Sequence, residues 1–230
     1  MTNYVQAFRG QPDRGAVPGE EEAWGAWFGR IGASIVDRGN RVAAARTVPA
    51  ANGGDPANSI LARFGGSVTI DGIKIATVTA LHSNGLDPAY IGGELGKAMT
   101  EAGIAGDVGL ATGYVLRFSN GLVAYLSGDT GIVADQERTV RDYYHAKLAV
   151  MNMGDGFSTG PAEAAYVINQ LVKPASVIPS HSNEVSTVGG KVRPGSKAEA
   201  FIKAVKIPSY LPLSGRTMEF NAAGKCMAGC

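Results

Sequence analysis

Residues 113–161, GYVLRFSNGLVAYLSGDTGIVADQERTVRDYYHAKLAVMNMGDGFSTGP, decide the fold. Tyr114–Phe118 is an alternating apolar run that predicts a strand. Ser119-Asn120-Gly121 predicts a tight turn, because Asn-Gly supplies the positive φ angles of a two-residue hairpin. Leu122–Leu126 is the return strand. It runs into Ser127-Gly128-Asp129-Thr130-Gly131, a small-residue loop with a carboxylate at its centre. Such an acid stands at the rim of a sheet, and the flanking glycines let the backbone approach whatever it holds.

Downstream, Asp135–Tyr144 has helical character and Ala146–Asn152 reads as a short buried strand. Pro161 opens a helix, Ala162–Leu171, with Glu163 in its first turn, and Lys173-Pro174 stops it. The strand Ala175–Ile178 follows and leads into Pro179-Ser180-His181-Ser182-Asn183. Lys197–Val205 predicts a last helix. Upstream, Val68–Ile70 and Ile73–Val78 flank Asp71-Gly72, the signature of a hairpin with a type I′ turn. Its second strand ends in a polar loop that carries His82. Residues 86–110, with a short helix at Glu94–Glu101, form an insertion placed to lie over the sheet rim. Strands and helices thus alternate from residue 66 to about 205, which predicts a layered α/β domain with its ligands at one sheet edge.

The first 48 residues read differently. Tyr4–Phe8 is a short strand, and Pro18 with Glu20, Glu21 and Glu22 starts a helix. Trp24, Trp27, Phe28, Ile31 and Ile35 give that helix one apolar face, suited to a core or a dimer interface. Arg41–Val48 is a second strand. Pro49–Asn58 is rich in Pro, Gly, Ala and Asn, and residues 49–62 are the expected linker. A net charge of +1 over 230 residues gives no electrostatic case for nucleic acid or a membrane surface. No apolar run approaches the roughly 20 residues of a transmembrane helix. With no signal-peptide pattern at the N-terminus, a cytoplasmic address is the default expectation. Cys226 and Cys230 predict a frayed tail with reduced thiols.

Three strands therefore end in loops bearing His82, Asp129 and His181. Two imidazoles and a carboxylate suit one zinc-like divalent ion with a position left for water. Spacing alone leaves ordinary loop residues as the other reading. His145, among charged neighbours, reads as a solvated side chain.

The pieces GGSVTIDGIKIATVTALHSNG, GYVLRFSNGLVAYLSGDTG, LAVMNMGDGFSTGPAEAAYVI and KPASVIPSHSNE resemble, in order, the C-terminal part of the metallo-β-lactamase superfamily. The group they are most like contains ascorbate-6-phosphate lactonase-like metal-dependent hydrolases. The resemblance covers about residues 63–221. It implies part of an αββα sandwich and a hydrolase that attacks a lactone, ester or phosphoester through metal-activated water. By this resemblance His82 matches the third histidine of the first metal site, Asp129 the bridging and catalytic aspartate, and His181 the last histidine of the second site. Asp155, Ser180, Ser182 and Asn183 would support those ligands or meet a small-molecule substrate. The superfamily's H-x-H-x-D-H signature is absent from this chain. That departure keeps a second reading open: a catalytically silent fusion serving as a binding or oligomerisation module.

Residues 1–48 resemble the first half of YCII-related proteins, a ferredoxin-like β-α-β unit that commonly dimerises, which implies a homo-oligomer. Asp37 could match that family's aspartate, but no histidine precedes His82, so no catalysis carries over. The expected organisation is a YCII-like segment at 1–48, a linker at 49–62, and a metallo-β-lactamase-like part at 63–230.

Overall fold

The computed structural model describes residues 65–107 and 109–230; the YCII-like segment and the linker lie outside them. In chain order the strands are β1 (Ser67–Ile70), β2 (Ile73–Thr79), β3 (Gly85–Leu86), β4 (Gly106–Asp107), β5 (Thr112–Arg117) and β6 (Val123–Leu126). They continue with β7 (Leu148–Asn152), β8 (Ser176–Ser180), β9 (Thr187–Val188), β10 (Lys191–Val192), β11 (Glu219–Phe220) and β12 (Cys226–Ala228). The helices are α1 (Gly93–Glu101), α2 (Gln136–Tyr143, π-helical), α3 (Pro161–Tyr166, running on as a π-helical Val167–Val172) and α4 (Lys197–Ala204).

One mixed sheet of six strands carries the fold, in the order β1-β2-β5-β6-β7-β8. It is antiparallel from β1 to β6 and parallel from β6 to β8. Connection type explains the switch. Tight turns reverse the chain after β1 and β5, whereas α2 and α3 supply the long crossovers that parallel strands require. The first turn is the expected one: Asp71 and Gly72 have φ of 48° and 80°, as type I′ demands.

The β5–β6 turn differs from the two-residue reading. Among its residues only Gly121 takes a positive φ, at 89°. Gly121 N donates to Phe118 O at 2.9 Å, and Phe118 N donates to Leu122 O at 2.9 Å. The Asn120 side chain accepts from Leu122 N at 2.9 Å, so it caps a three-residue loop instead of entering the left-handed region itself.

One sheet face is covered by helices. Val78, Val115, Tyr125, Ala149, Met151 and Val177 pack there with Val140 of α2, Ala164, Ala165 and Ile168 of α3, and Phe201 of α4. On the opposite face Leu122, Ala124 and Leu148 form a smaller cluster, with Phe220 packed against it. Phe220 belongs to the β11–β12 hairpin, and this corrects the reading of the tail. Cys226 and Cys230 are joined by a disulfide, and β12 is paired with β11. The hairpin is fastened to the sheet where the Ser176 hydroxyl donates to Gly224 O at 2.5 Å.

Tyr125 gives the core a pH limit. Its hydroxyl is buried beside Gln136, whose amide is committed to Val133 N and Gly131 O, and no hydrogen bond satisfies it. Burial pushes its pKa up to about 12, and the Asp135 charge adds to the rise. The raised folded pKa means that the neutral phenol's contribution is complete below the unfolded value of about 10. It is lost as pH rises from there through about 12. Unfolding free energy should therefore fall by up to about 1.4 kcal/mol per pH unit in that window. Tyr125→Phe should flatten this slope in denaturant titrations; an equal slope in the variant would refute the assignment.

Among the described residues no helix is long and apolar enough to cross a membrane.

Candidate metal centre

Asp129 lies three residues beyond the end of β6, and His181 directly follows β8. The topology brings these ends to one rim, separated by β7 alone. Asp129 Oδ2 and His181 Nε2 stand 3.4 Å apart, and both side chains are about two-fifths exposed (41% and 42%). That separation is longer than an ordinary N–H···O hydrogen bond. Two ligands bound tetrahedrally at zinc-like lengths of about 2.0–2.1 Å sit roughly 3.3–3.4 Å from each other. The pair thus fits one divalent ion in donor type and in spacing.

His82 stands elsewhere. Its backbone neighbourhood is tied to the Asp129 loop: Gly131 N donates to Leu81 O at 2.8 Å, and Leu81 N to Thr130 Oγ1 at 2.9 Å. The ring, however, turns back on its own segment, with Nδ1 3.0 Å from Ser83 O. Among the described residues no group of three or more His, Cys, Asp or Glu side chains is arranged to hold a metal ion. The structure gathers the Asp129–His181 pair, without His82 as a third member. His82 instead lines an open cleft of about 650 Å³, together with Asp155, Ser158 and Glu163. Asp155 and Glu163 converge over Gly160, where a Cβ would lie 3.4 Å from Asp155 Oδ1 and 3.0 Å from Glu163 Oε2.

The His181 loop is built from within. Ser182 is fully buried; its hydroxyl donates to Glu184 O at 3.0 Å and accepts from Ser186 at 2.9 Å. It shapes the loop and does not reach solvent. The carbonyl of Ser180 accepts from Met153 N at 3.1 Å, and Asn183 is exposed with φ of 54°. Lys197 Nζ donates to Gly154 O, which joins α4 to the segment beneath His181. Gly154 must be glycine: a Cβ would lie 2.4 Å from His181 O and 2.9 Å from the imidazole Cδ2. Gly154→Ala should destabilise the fold by about 1–3 kcal/mol through this overpacking and displace His181. Thermal unfolding together with zinc affinity would check it, and a variant with both unchanged would refute the close fit.

The residues that hold the rim together have no place among the expected ligands. Asn152, fully buried at the end of β7, donates to Thr130 O at 3.0 Å and to Thr159 Oγ1 at 2.9 Å. Its Oδ1 lies 3.0 Å from the Ser127 hydroxyl, and its backbone N donates to the same hydroxyl at 3.0 Å. Ser127, Thr130 and Thr159 are themselves buried. One asparagine thus fixes both sides of Asp129 and Thr159 in the lining of the cleft. The available signal was a polar residue between Met151 and Met153 in an otherwise apolar strand.

No protein-family model matches the chain. A UPF0173 metal-dependent hydrolase of Roseiflexus sp. is 33% identical over 117 residues, covering 51% of this chain and 42% of that protein. One from Polaromonas sp. is 35% identical over 126 residues, covering 54% and 43%. Over about half its length the chain resembles the UPF0173 metal-dependent hydrolases, of the metallo-β-lactamase superfamily. A third UPF0173 protein, from Polynucleobacter asymbioticus, is 30% identical over 159 residues, covering 67% of this chain and 51% of its own length. The chain spans about half, or less, of the length of these UPF0173 relatives. Among solved structures, the metallo hydrolase Igni18 of Ignicoccus hospitalis overlays with a TM-score of 0.48 at 23% identity, covering 69% of this chain and 59% of that one. The YCII resemblance of residues 1–48 gains no support from these comparisons.

Proposed function

We propose that this chain works as a metal-dependent hydrolase on a lactone, ester or phosphoester, with Asp129 and His181 holding one divalent ion, zinc by choice of ligands. The observation that carries the reading is the 3.4 Å Asp129–His181 pair on a rim fixed by buried hydrogen bonds. Similarity to proteins described as metal-dependent hydrolases supports it. When bound, such an ion supplies Lewis acidity and a water that ionises near neutral pH.

The chain's own residues would do the rest. Asp129 contributes negative charge to the seat and His181 a neutral imidazole nitrogen. The cleft, which Gly131 of the Asp129 loop helps to line together with His82, Asp155 and Glu163, takes the small-molecule substrate. His82 would serve there as a third donor or as a group that exchanges protons with substrate. The absence of a gathered three-ligand group among the described residues favours the second reading, a catalytically silent binding module.

Turnover separates the two. A panel of lactones, carboxylic esters and phosphodiesters should include a substrate whose hydrolysis stops with chelator and returns with added zinc. No turnover across the panel from zinc-loaded protein would leave the silent module as the reading.

A further inference from the structure

A second pocket lies at the far end of the sheet from the Asp129–His181 rim. Lys74 stands near the start of β2, whose other end leads to His82, and Arg117 closes β5. α2 spans the same distance: Gln136 at its start donates to Gly131 O at 3.2 Å, and Tyr143 ends it. The pocket holds about 260 Å³ and is lined by Lys74, Ala76, Val115, Arg117, Tyr143 and Tyr144.

Its chemistry is unusual for a sheet surface. Lys74 and Arg117 are direct cross-strand partners on the helix-covered face. Like charges placed opposite each other destabilise a strand pair. Neither side chain has an ion pair or a hydrogen bond among the described residues, while nearby Glu137 and Asp142 are both occupied by Arg141. An anion between the two cations would remove the repulsion. Arg offers a fork that matches phosphate and Lys a mobile point charge. Beside them Tyr143 is 71% exposed and packs edge-on against Tyr144, with ring centroids 4.8 Å apart. An exposed, braced tyrosine face suits a planar ring. Ala76 and Val115 make the floor apolar.

We propose that this pocket binds a phosphate ester that also bears an aromatic ring, such as a mononucleotide, with the phosphate between Lys74 and Arg117 and the ring on Tyr143. The site is independent of the metal centre, and its test needs no metal.

Calorimetric titration of the full chain at low salt with AMP, phenyl phosphate, adenosine and inorganic phosphate tests this. AMP should bind more tightly than adenosine or phosphate alone. Phenyl phosphate matching AMP would identify a general site for phosphate esters with an aromatic ring; AMP binding more tightly would identify a nucleotide site. Lys74→Ala and Arg117→Ala should each weaken AMP roughly tenfold. Tyr143→Ala should weaken AMP about fivefold or more and leave inorganic phosphate unchanged. These side chains are exposed, so unfolding midpoints should stay near that of the parent chain and show that the variants fold. AMP binding no tighter than inorganic phosphate, or unchanged by all three substitutions, overturns the proposal.

Discussion

Asp129→Ala and His181→Ala should each lower zinc affinity by more than about a hundredfold, and His82→Ala by less than about tenfold. The scale follows from metal sites in which removing a supporting residue alone already changes affinity 10–100-fold, so a direct donor must count for more. The hierarchy follows from geometry. Asp129 Oδ2 and His181 Nε2 are 3.4 Å apart before any ion arrives, so they bind as a preformed pair with little reorganisation. His82 has its Nδ1 beside Ser83 O and must turn before it can join them. Competition with a chromogenic chelator measures all three. Because Asp129 and His181 are about two-fifths exposed, their loss should move metal-free stability by no more than about 0.5 kcal/mol. Equal losses in all three variants would mean that His82 completes the seat in solution. Unchanged affinity in the Asp129 and His181 variants would end the metal reading.

Much of this architecture could be read from the chain because its signals are local. Asp71-Gly72 between two apolar runs has one good solution, and the structure adopts it. Pro161 starts α3 and Lys173, at φ of 49°, stops it, where Pro and the residue before it forbid continuation. Strand ends could be named as well, so His82, Asp129 and His181 were expected beyond β2, β6 and β8, where they stand. What a strand end does not specify is the direction of a side chain. His82 was assigned to the right loop, yet its ring is placed by a contact with the next residue, which no spacing rule encodes. The β5–β6 turn shows the same limit: Asn-Gly allows two solutions, and the Asn120 side chain selected the longer one. The cysteine tail failed for a different reason. A short Gly/Ala-rich end looks unanchored until Ser176, 48 residues upstream of Gly224, is folded against it.

The largest effect on stability should come from a residue absent from any ligand list. Asn152→Leu is expected to reduce unfolding free energy by about 3 kcal/mol, and the unfolding midpoint by roughly 6–12 °C. Leucine nearly preserves volume, so the change isolates polarity. It removes one hydrogen bond each from Thr130 O, Thr159 Oγ1 and Ser127 Oγ, which keep their bonds to Thr159 N, to the carbonyl of residue 152 and to Gly128 O. Each of the three lost bonds is worth roughly 1 kcal/mol, and because every former partner keeps another bond no further penalty for a stranded group is added. Asn152→Asp keeps the acceptor toward Ser127 but cannot donate to Thr130 O, and it buries a charge beside a carbonyl. It should therefore be no better tolerated than leucine. The consequence for the rim is separable from folding. At temperatures where Asn152→Leu is still folded by circular dichroism, zinc affinity should already be reduced. Thr130 O and Ser127 are what keep the Gly128–Gly131 loop, and Asp129 with it, opposite His181. A folded Asn152→Leu protein that binds zinc like the parent chain would show that the loop holds its shape unaided. Asn152 would then count for stability alone.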